Sequence, residues 1–283
     1  MTFNKFITII LIATIFTPVH LFATDDLRPE IRIPTDPVIS LNFGMSDLSL
    51  KDFDHTFGNL GMLELKLGFA SLDPKRGDTK ILDLMQRYLS IAHISTNIGN
   101  GAETGELESS VWRIGLVSEN GYGYTLSSTS STPSIILMHS RGVAWSDVDI
   151  DQPLNPPQDG FRPSRFEDAV RFGSMTEAGV MVQLSNVLSV NASFERSIVY
   201  ERHLFWKWIG SVVIEGGAHS LIDRFVDAVF DSTPSAGPVV NFLLKNGLSY
   251  ALYELRRSDM NWPFDTAAPL HHDTFKVGVS FIF

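Results

Sequence analysis

The residues best spaced for chemistry are Glu215, His219, Asp223 and Asp227, which follow one another at intervals of four. In a helix such residues share one face, where carboxylates and an imidazole could bind a metal ion or transfer a proton. Glu215, His219 and Asp223 are therefore the candidate metal ligands. The opposite face of the segment is apolar, so the pattern also describes the polar side of an amphipathic helix. On that interpretation, which we favour, neither a metal nor another cofactor is expected.

A second group of carboxylates, Asp147, Asp149 and Asp151, alternates along a segment that we expect to be a loop. Oxygen ligands at such positions suit Ca²⁺, but a calcium-binding loop also requires Gly at its sixth position and Glu at its twelfth. This chain has Gln152 and Gln158 there. We therefore predict a solvated acidic loop.

Two adjacent pairs, His271-His272 and His139-Ser140, complete the candidates. Neighbouring side chains of a strand point to opposite faces, so neither pair is predicted to form a metal site or a catalytic dyad. The sequence contains no G-x-S-x-G, phosphate-loop or H-E-x-x-H motif. These observations favour a non-catalytic protein without deciding the question.

Composition narrows the class further. The 283 residues carry a net charge of −10 and include no cysteine. Because nucleic-acid binding depends on clustered basic residues, we expect no nucleic-acid partner. The absence of cysteine excludes disulfide scaffolds, thiolate metal sites and cysteine nucleophiles.

The N-terminus has the features of a cleavable secretory signal. Lys5 precedes the apolar run 6–16, and Ala23 supplies the small residue expected at a cleavage site. We predict a signal peptide over 1–23 and an exported domain over 24–283.

The exported domain shows the period-two pattern of strands with one apolar face, as in the segment 61–72. The segments 177–184 and 188–195 form a hairpin whose three-residue turn keeps both apolar sets on one side. Asn120-Gly121 predicts a second, tighter hairpin. About nine strands are predicted in all, including 38–45, 87–98, 134–140 and the last segment.

The final segment, 274–283, is the most informative about class. Alternate positions are apolar: Phe275, Val277, Val279, Phe281 and Phe283. This resembles the C-terminal strand of bacterial outer-membrane β-barrel proteins, which has alternate apolar or aromatic residues, ends in Phe and is read by the barrel-assembly machinery. The resemblance implies a Gram-negative outer-membrane location, with outer-membrane lipid and that machinery as partners. It also implies an antiparallel membrane β-barrel. Because single-chain barrels of this kind have an even number of strands, the nine candidates predict a barrel of about eight to ten strands.

Six charged residues fall on the face opposite the apolar one: Glu64, Lys66, Arg113, Glu177, Glu195 and Lys276. Side chains fill the interior of a small barrel, and buried charges persist when they are paired. We therefore predict a network of ion pairs inside the barrel and no wide pore. A narrow charged conduit is the alternative.

Between about 203 and 258 the apolar period becomes that of a helix. Gly216-Gly217 is expected to kink or split a first helix, and Pro238 suits the first turn of a second. The second helix has one narrow polar stripe: Asn241, Lys245, Ser249 and Arg256. It must be mostly buried or lie in a membrane interface. The sequence leaves open whether this α-helical insertion before the last strand caps, plugs or flanks the barrel.

The sequence thus predicts an outer-membrane β-barrel protein with a structural or interaction role. One alternative is a lipid-modifying hydrolase or acyltransferase, which needs Ser or His side chains that converge with a carboxylate at the outer leaflet. His139, His203 and His219 are the histidines to examine for that activity. Another alternative is a soluble exported barrel that binds an apolar ligand and whose helices pack on the apolar strand faces.

Overall fold

Eight antiparallel strands form a closed barrel in sequence order. This is the architecture of a computed structural model that describes residues 33–53, 55–75, 78–104, 106–127, 132–151 and 162–283. The predicted signal peptide and its cleavage site near Ala23 lie outside the described residues. The predicted antiparallel barrel of eight to ten strands is confirmed, and its strands are β1 Asp36–Leu50, β2 Leu60–Lys75, β3 Asp78–Ser95, β4 Ser109–Thr125, β5 Ser134–Ile150, β6 Arg171–Gln183, β7 Leu188–Val199 and β8 Leu270–Ile282.

Alternation of side chains produces the two surfaces of the barrel. In β1 the even-numbered residues from Val38 onward, such as Asn42, are buried in the lumen, whereas Leu41 and Phe43 are exposed on the outer wall. The first and last strands pair from Val38 with Ile282 to Leu50 with Leu270. Closure therefore leaves no open strand edge.

The two ends of the barrel differ in their connections. The terminus end carries the start of β1, the end of β8 and the β6–β7 turn, and the loop end carries the connections β1–β2, β3–β4, β5–β6 and β7–β8. At the terminus end Val182 pairs with Val190, and Ala178 pairs with Phe194. These pairs confirm the predicted register of the β6–β7 hairpin.

The hairpin predicted at Asn120-Gly121 is wrong. β4 runs unbroken from Ser109 to Thr125 and pairs with β3 and β5 along its length, so the described residues form eight strands rather than nine. A two-residue turn would have paired the apolar Leu116 with Thr125 and placed the apolar residues of the two arms on opposite faces. The alternation instead continues in phase through both residues.

Two helices, α1 Phe205–Ser232 and α2 Gly237–Arg256, form the insertion between β7 and β8. The split predicted at Gly216-Gly217 is wrong, because α1 is continuous through both glycines. Glycine in a helix costs about 1 kcal/mol relative to alanine, and the contact of α1 with α2 offsets that cost.

The α1–α2 hairpin lies on the outer wall of the barrel. α2 contacts β4, β5 and β6, and its Asn246 is hydrogen-bonded to the outward-facing His139. At the terminus end Phe230 of α1 packs against Tyr122, and at the loop end Trp208 packs against an aromatic residue of β6. The hairpin therefore flanks the barrel rather than capping or plugging it. In the described part of the chain, neither helix is long and apolar enough to cross a membrane.

Candidate functional site

Lys276 of β8 is the centre of a buried ion-pair network in the lumen. Its Nζ lies 2.7 Å from Glu195, 2.8 Å from Glu177 and 3.0 Å from Glu64. The three carboxylates come from β7, β6 and β2. One lysine therefore ties together strands that are distant in sequence.

Two further cations complete the network. Lys66 lies 3.1 Å from Glu177, and Arg113 donates to Glu195 through both terminal nitrogens. Arg113 also lies 3.6 Å from Glu64. Together with the central lysine, the structure brings all six sequence-predicted interior residues into one cluster.

Glu119 is a seventh member, which the sequence reasoning missed. Its carboxylate lies 3.9 Å from Lys66 and accepts a hydrogen bond of 2.8 Å from Ser140. The mistaken turn at Asn120 removed Glu119 from the strand, whereas unbroken alternation would have placed it on the inward face with Arg113. The network thus holds four carboxylates and three cations among the described residues.

Apolar side chains fill the lumen on both sides of the network. Toward the loop end they include Leu60 and Ile94, and toward the terminus end Leu84, Ile136 and Met181. All five are buried. Filling by side chains is the expected state of an eight-stranded barrel, and it disfavours the narrow conduit.

The outer wall of β1, β2, β7 and β8 forms an apolar belt of exposed side chains. All the sequence-predicted C-terminal residues, from Phe275 to Phe283, are exposed here. Exposed apolar surface of this extent marks a membrane or protein contact. The members of the apolar belt include Ile39, Leu41, Phe43, Met45, Leu63, Leu67, Phe69, Val190, Phe275, Val277, Val279 and Phe281.

The hairpin adds further exposed apolar surface. Several of its apolar side chains are exposed and several of its polar side chains are buried, which is the reverse of the arrangement usual for a helix in water. On α2 the polar Asn241 is 3% exposed, whereas Leu243 is 61% exposed. On α1, His219 is buried and Leu221 is exposed, whereas toward the C-terminal end of α1 Asp227 is exposed and Val226 is buried. Soluble amphipathic helices turn their polar face to solvent, so this hairpin suits a surrounding that dissolves apolar groups.

Polar residues occupy the outward faces of the strands next to the hairpin. Arg87, Ser118, Arg141 and Thr176 stand directly opposite one another on β3, β4, β5 and β6. Arg141 is exposed, and the other three are half-buried. A polar or charged side chain on a lipid-facing wall costs free energy. This cost is a physical reason for a hairpin that turns its own polar groups toward these strands.

A polar seam lies between the hairpin and this wall. Nδ1 of His139 is hydrogen-bonded to Oδ1 of Asn246 at 2.8 Å, and the His139 and His219 rings are 5.6 Å apart between centroids. Arg256 donates to Glu215 at 2.8 Å. These contacts tie β5, α1 and α2 together.

The three candidate metal ligands are not brought together. Glu215 and His219 face the seam, with 3.8 Å between the carboxylate and Nε2, but Asp223 lies at the hairpin surface, 2.6 Å from Lys245. Across the described ranges, no group of three His, Asp or Glu side chains is arranged to hold a metal ion.

The acidic loop predicted at Asp147 and Asp149 is wrong, because β5 extends to Ile150 and includes both residues. They face outward near the loop end, where they pair with Trp112 and Ser110 of β4. Side chains two residues apart in a strand are separated by about 7 Å, so an extended strand does not wrap them around a cation.

The two adjacent pairs point to opposite faces, as predicted. Ser140 hydrogen-bonds in the lumen to a network glutamate, while His139 points to the seam. His272 alternates onto the lumen face, and His271 packs outside against Tyr253 with 5.4 Å between ring centroids.

His93 and Ser110 form a pair that sequence reasoning missed. On the outward faces of β3 and β4 near the loop end, Nε2 of His93 lies 3.3 Å from Oγ of Ser110, and the imidazole stacks on Trp112 at 4.3 Å. Only the β3–β4 register brings these residues together, so no short motif signals them. The three histidines named for catalysis form no hydrogen bond to Ser or Asp in the part of the chain that is described.

His203 lies at the loop end between β7 and α1, among Phe172, Phe205 and Trp208. Burial against these rings lowers the pKa of His203.

In the β5–β6 connection, burial raises the pKa of Glu167, and the nearby negative charge of Asp149 adds to the effect.

No protein-family model and no curated protein matches this chain. Among solved structures it is similar to Neisserial surface protein A (NspA), with a TM-score of 0.43 and 6% identity over 87% of this chain and 97% of that one. It is also similar to Ail, the attachment invasion locus protein of Yersinia pestis, crystallised with the heparin analogue sucrose octasulfate. That match has a TM-score of 0.34 and 8% identity over 89% of this chain and 100% of that one. Both are outer-membrane β-barrel proteins.

Proposed function

We propose that this protein is a sealed β-barrel of the outer membrane with a structural or interaction role. The observation that carries the proposal is the outer surface, where an apolar belt on four strands is accompanied by a hairpin whose second helix, α2, turns its apolar side chains outward. Lipid solvates such a surface better than water does. A soluble barrel would turn the apolar faces of its helices toward the strands, which is the opposite arrangement.

Outer-membrane lipid and the barrel-assembly machinery are the proposed partners. The belt supplies the lipid contact, and β8 presents Phe275, Val277, Val279 and Phe281 outward in the alternation that the machinery reads. The filled lumen supports a barrel that does not conduct ions. We therefore expect the purified protein to add no steady conductance to a planar bilayer.

Cell fractionation with a heat-modifiability gel tests the location. The full chain, expressed in a Gram-negative host, is expected in the outer-membrane fraction, with a gel mobility that changes on boiling. Recovery in the soluble periplasm without such a change would overturn the proposal.

Lipid-ester hydrolysis is a second candidate, favoured by the His93–Ser110 pair. A hydroxyl and an imidazole within hydrogen-bond reach are the parts of an activated nucleophile, and the pair lies on the outer wall, where lipid is the substrate at hand. No carboxylate is hydrogen-bonded to His93 within the described ranges, so the pair would act as a dyad.

Fatty-acid release from phospholipid–detergent micelles distinguishes the two candidates. Hydrolysis predicts turnover that is lost in Ser110→Ala and retained in Ser118→Ala, which removes another outward hydroxyl from the same strand. No turnover by the folded wild type, or equal turnover by both variants, would remove this candidate.

A further inference from the structure

His139 has the orientation of a metal-binding imidazole. The amide nitrogen of Asn246 donates to the carbonyl oxygens of Met138 at 3.4 Å and Phe242 at 2.9 Å, which leaves its Oδ1 as an acceptor. The Nδ1 of His139, 2.8 Å away, is therefore the protonated nitrogen. Its Nε2 then carries a lone pair, and this atom has no hydrogen-bond partner among the described residues. Metal-binding imidazoles are held by such a bond on their other nitrogen.

His219 faces this imidazole from the hairpin side. The two ring centroids are 5.6 Å apart, and neither nitrogen of His219 has a hydrogen-bond partner in the described chain. Two imidazoles that share one ion at nitrogen–metal distances of about 2.0–2.1 Å and tetrahedral angles have ring centres roughly 5 Å apart. The observed separation is therefore close to that of a shared ion.

The surroundings of the two rings are buried and largely charge-matched. The rings belong to residues that are 4% and 3% exposed. Arg256 is paired with Glu215 and Lys245 with Asp223, while Arg141 is exposed. Buried polar atoms without hydrogen-bond partners cost free energy. Three imidazole nitrogens here have no hydrogen bond, although the Glu215 carboxylate lies 3.8 Å from Nε2 of His219, and a bound ligand would satisfy them.

We propose that His139 and His219 together bind one divalent transition-metal ion of the kind that imidazole favours, such as Zn²⁺. Water completes the coordination, because no third His, Asp or Glu joins the pair within the described residues. The ligands belong to β5 and α1, so the ion cross-links the hairpin to the barrel wall. This site differs from the set Glu215, His219 and Asp223, and it does not depend on the proposed location.

Calorimetric titration of Zn²⁺ into the refolded barrel, prepared without a histidine tag, tests the site. One ion per chain is expected in the wild type and in His203→Ala, which removes a histidine outside the seam. His139→Ala and His219→Ala are expected to lose the ion. Asn246→Ala keeps both ligands but loses the orienting bond, and should bind about 10- to 100-fold more weakly.

Two further measurements separate binding from folding. A heat-modifiability gel shows whether each variant forms the barrel, and Co²⁺ reports tetrahedral nitrogen coordination through its visible absorption, which both histidine variants should lack. A folded wild type that binds no Zn²⁺ would overturn the proposal and leave a bridging water as the ligand. Binding that survives both histidine substitutions would also overturn it.

Discussion

Replacing Lys276 by Met is expected to be the most destabilising single change in the lumen. The substitution keeps an unbranched side chain but removes the cation that lies 2.7–3.0 Å from Glu64, Glu177 and Glu195. Removing one partner of a buried ion pair costs about 3–5 kcal/mol, because it leaves an uncompensated charge. The network would then hold four carboxylates and two cations. We therefore expect the free energy of unfolding to fall by about 4–5 kcal/mol, the upper end of that range.

Urea unfolding of the refolded barrel, followed by tryptophan fluorescence, measures this loss. Lys245→Met is the matched control, because the Lys245–Asp223 pair has side chains that are 18% and 53% exposed and such pairs contribute about 0–1 kcal/mol. Adding Glu177→Gln to Lys276→Met leaves three carboxylates and two cations, which restores the original excess of one negative charge and should recover part of the stability. A Lys276→Met barrel within about 1 kcal/mol of the wild type, or no more destabilised than Lys245→Met, would refute the reasoning.

Three other predictions concern the outer wall and the loop end. Arg141→Leu should stabilise the barrel in phospholipid vesicles by up to about 2–4 kcal/mol, because Arg141 is exposed on the outer wall and a lipid-facing arginine costs up to that much; Arg202→Leu, in a connection, should not. Phe230 packs on Tyr122 and lies 4.0 Å beneath the Lys75 ammonium, so Phe230→Ala should loosen the hairpin tip and speed proteolysis between α1 and α2 while the heat-modifiable barrel persists. The lowered pKa of His203 means that its contribution to stability is present above the unfolded pKa of about 6.5 and is lost as pH falls through the folded value. Unfolding free energies between pH 8 and pH 5 should therefore fall less in His203→Gln than in the wild type, and equal slopes would contradict the assignment.

Strand alternation made the barrel and its interior predictable from the sequence. Once a sheet closes, each residue of a strand faces either the lumen or the outside, so Lys66, Arg113 and Lys276 could be assigned inward from position alone. Glu119 was lost to a local turn signal, because Asn-Gly favours a hairpin but cannot override pairing with strands on both sides.

The arrangement of the helices could not be predicted in the same way. The polar stripe through Asn241 and Ser249 is visible on a helical wheel, but whether it faces water or protein depends on what surrounds the opposite face. The seam also depends on long-range packing, since His139 and Asn246 are 107 positions apart. The chain offers no local pattern for such a contact, nor for the His93–Ser110 pair.

Oxygen accessibility of single spin labels tests the central claim most directly, that lipid surrounds both the belt and the hairpin. The cysteine-free chain accepts a label at Leu41 on β1, at Leu243 on α2 or at Leu126 beyond β4, whose side chains are 58%, 61% and 62% exposed. In vesicles, the labels at Leu41→Cys and Leu243→Cys should both be accessible to oxygen and protected from a water-soluble nickel relaxation reagent. The label at Leu126→Cys, at the terminus end, should be accessible to the nickel reagent. A Leu243 label that behaves like the Leu126 label would show that the hairpin stands in water and would contradict the account.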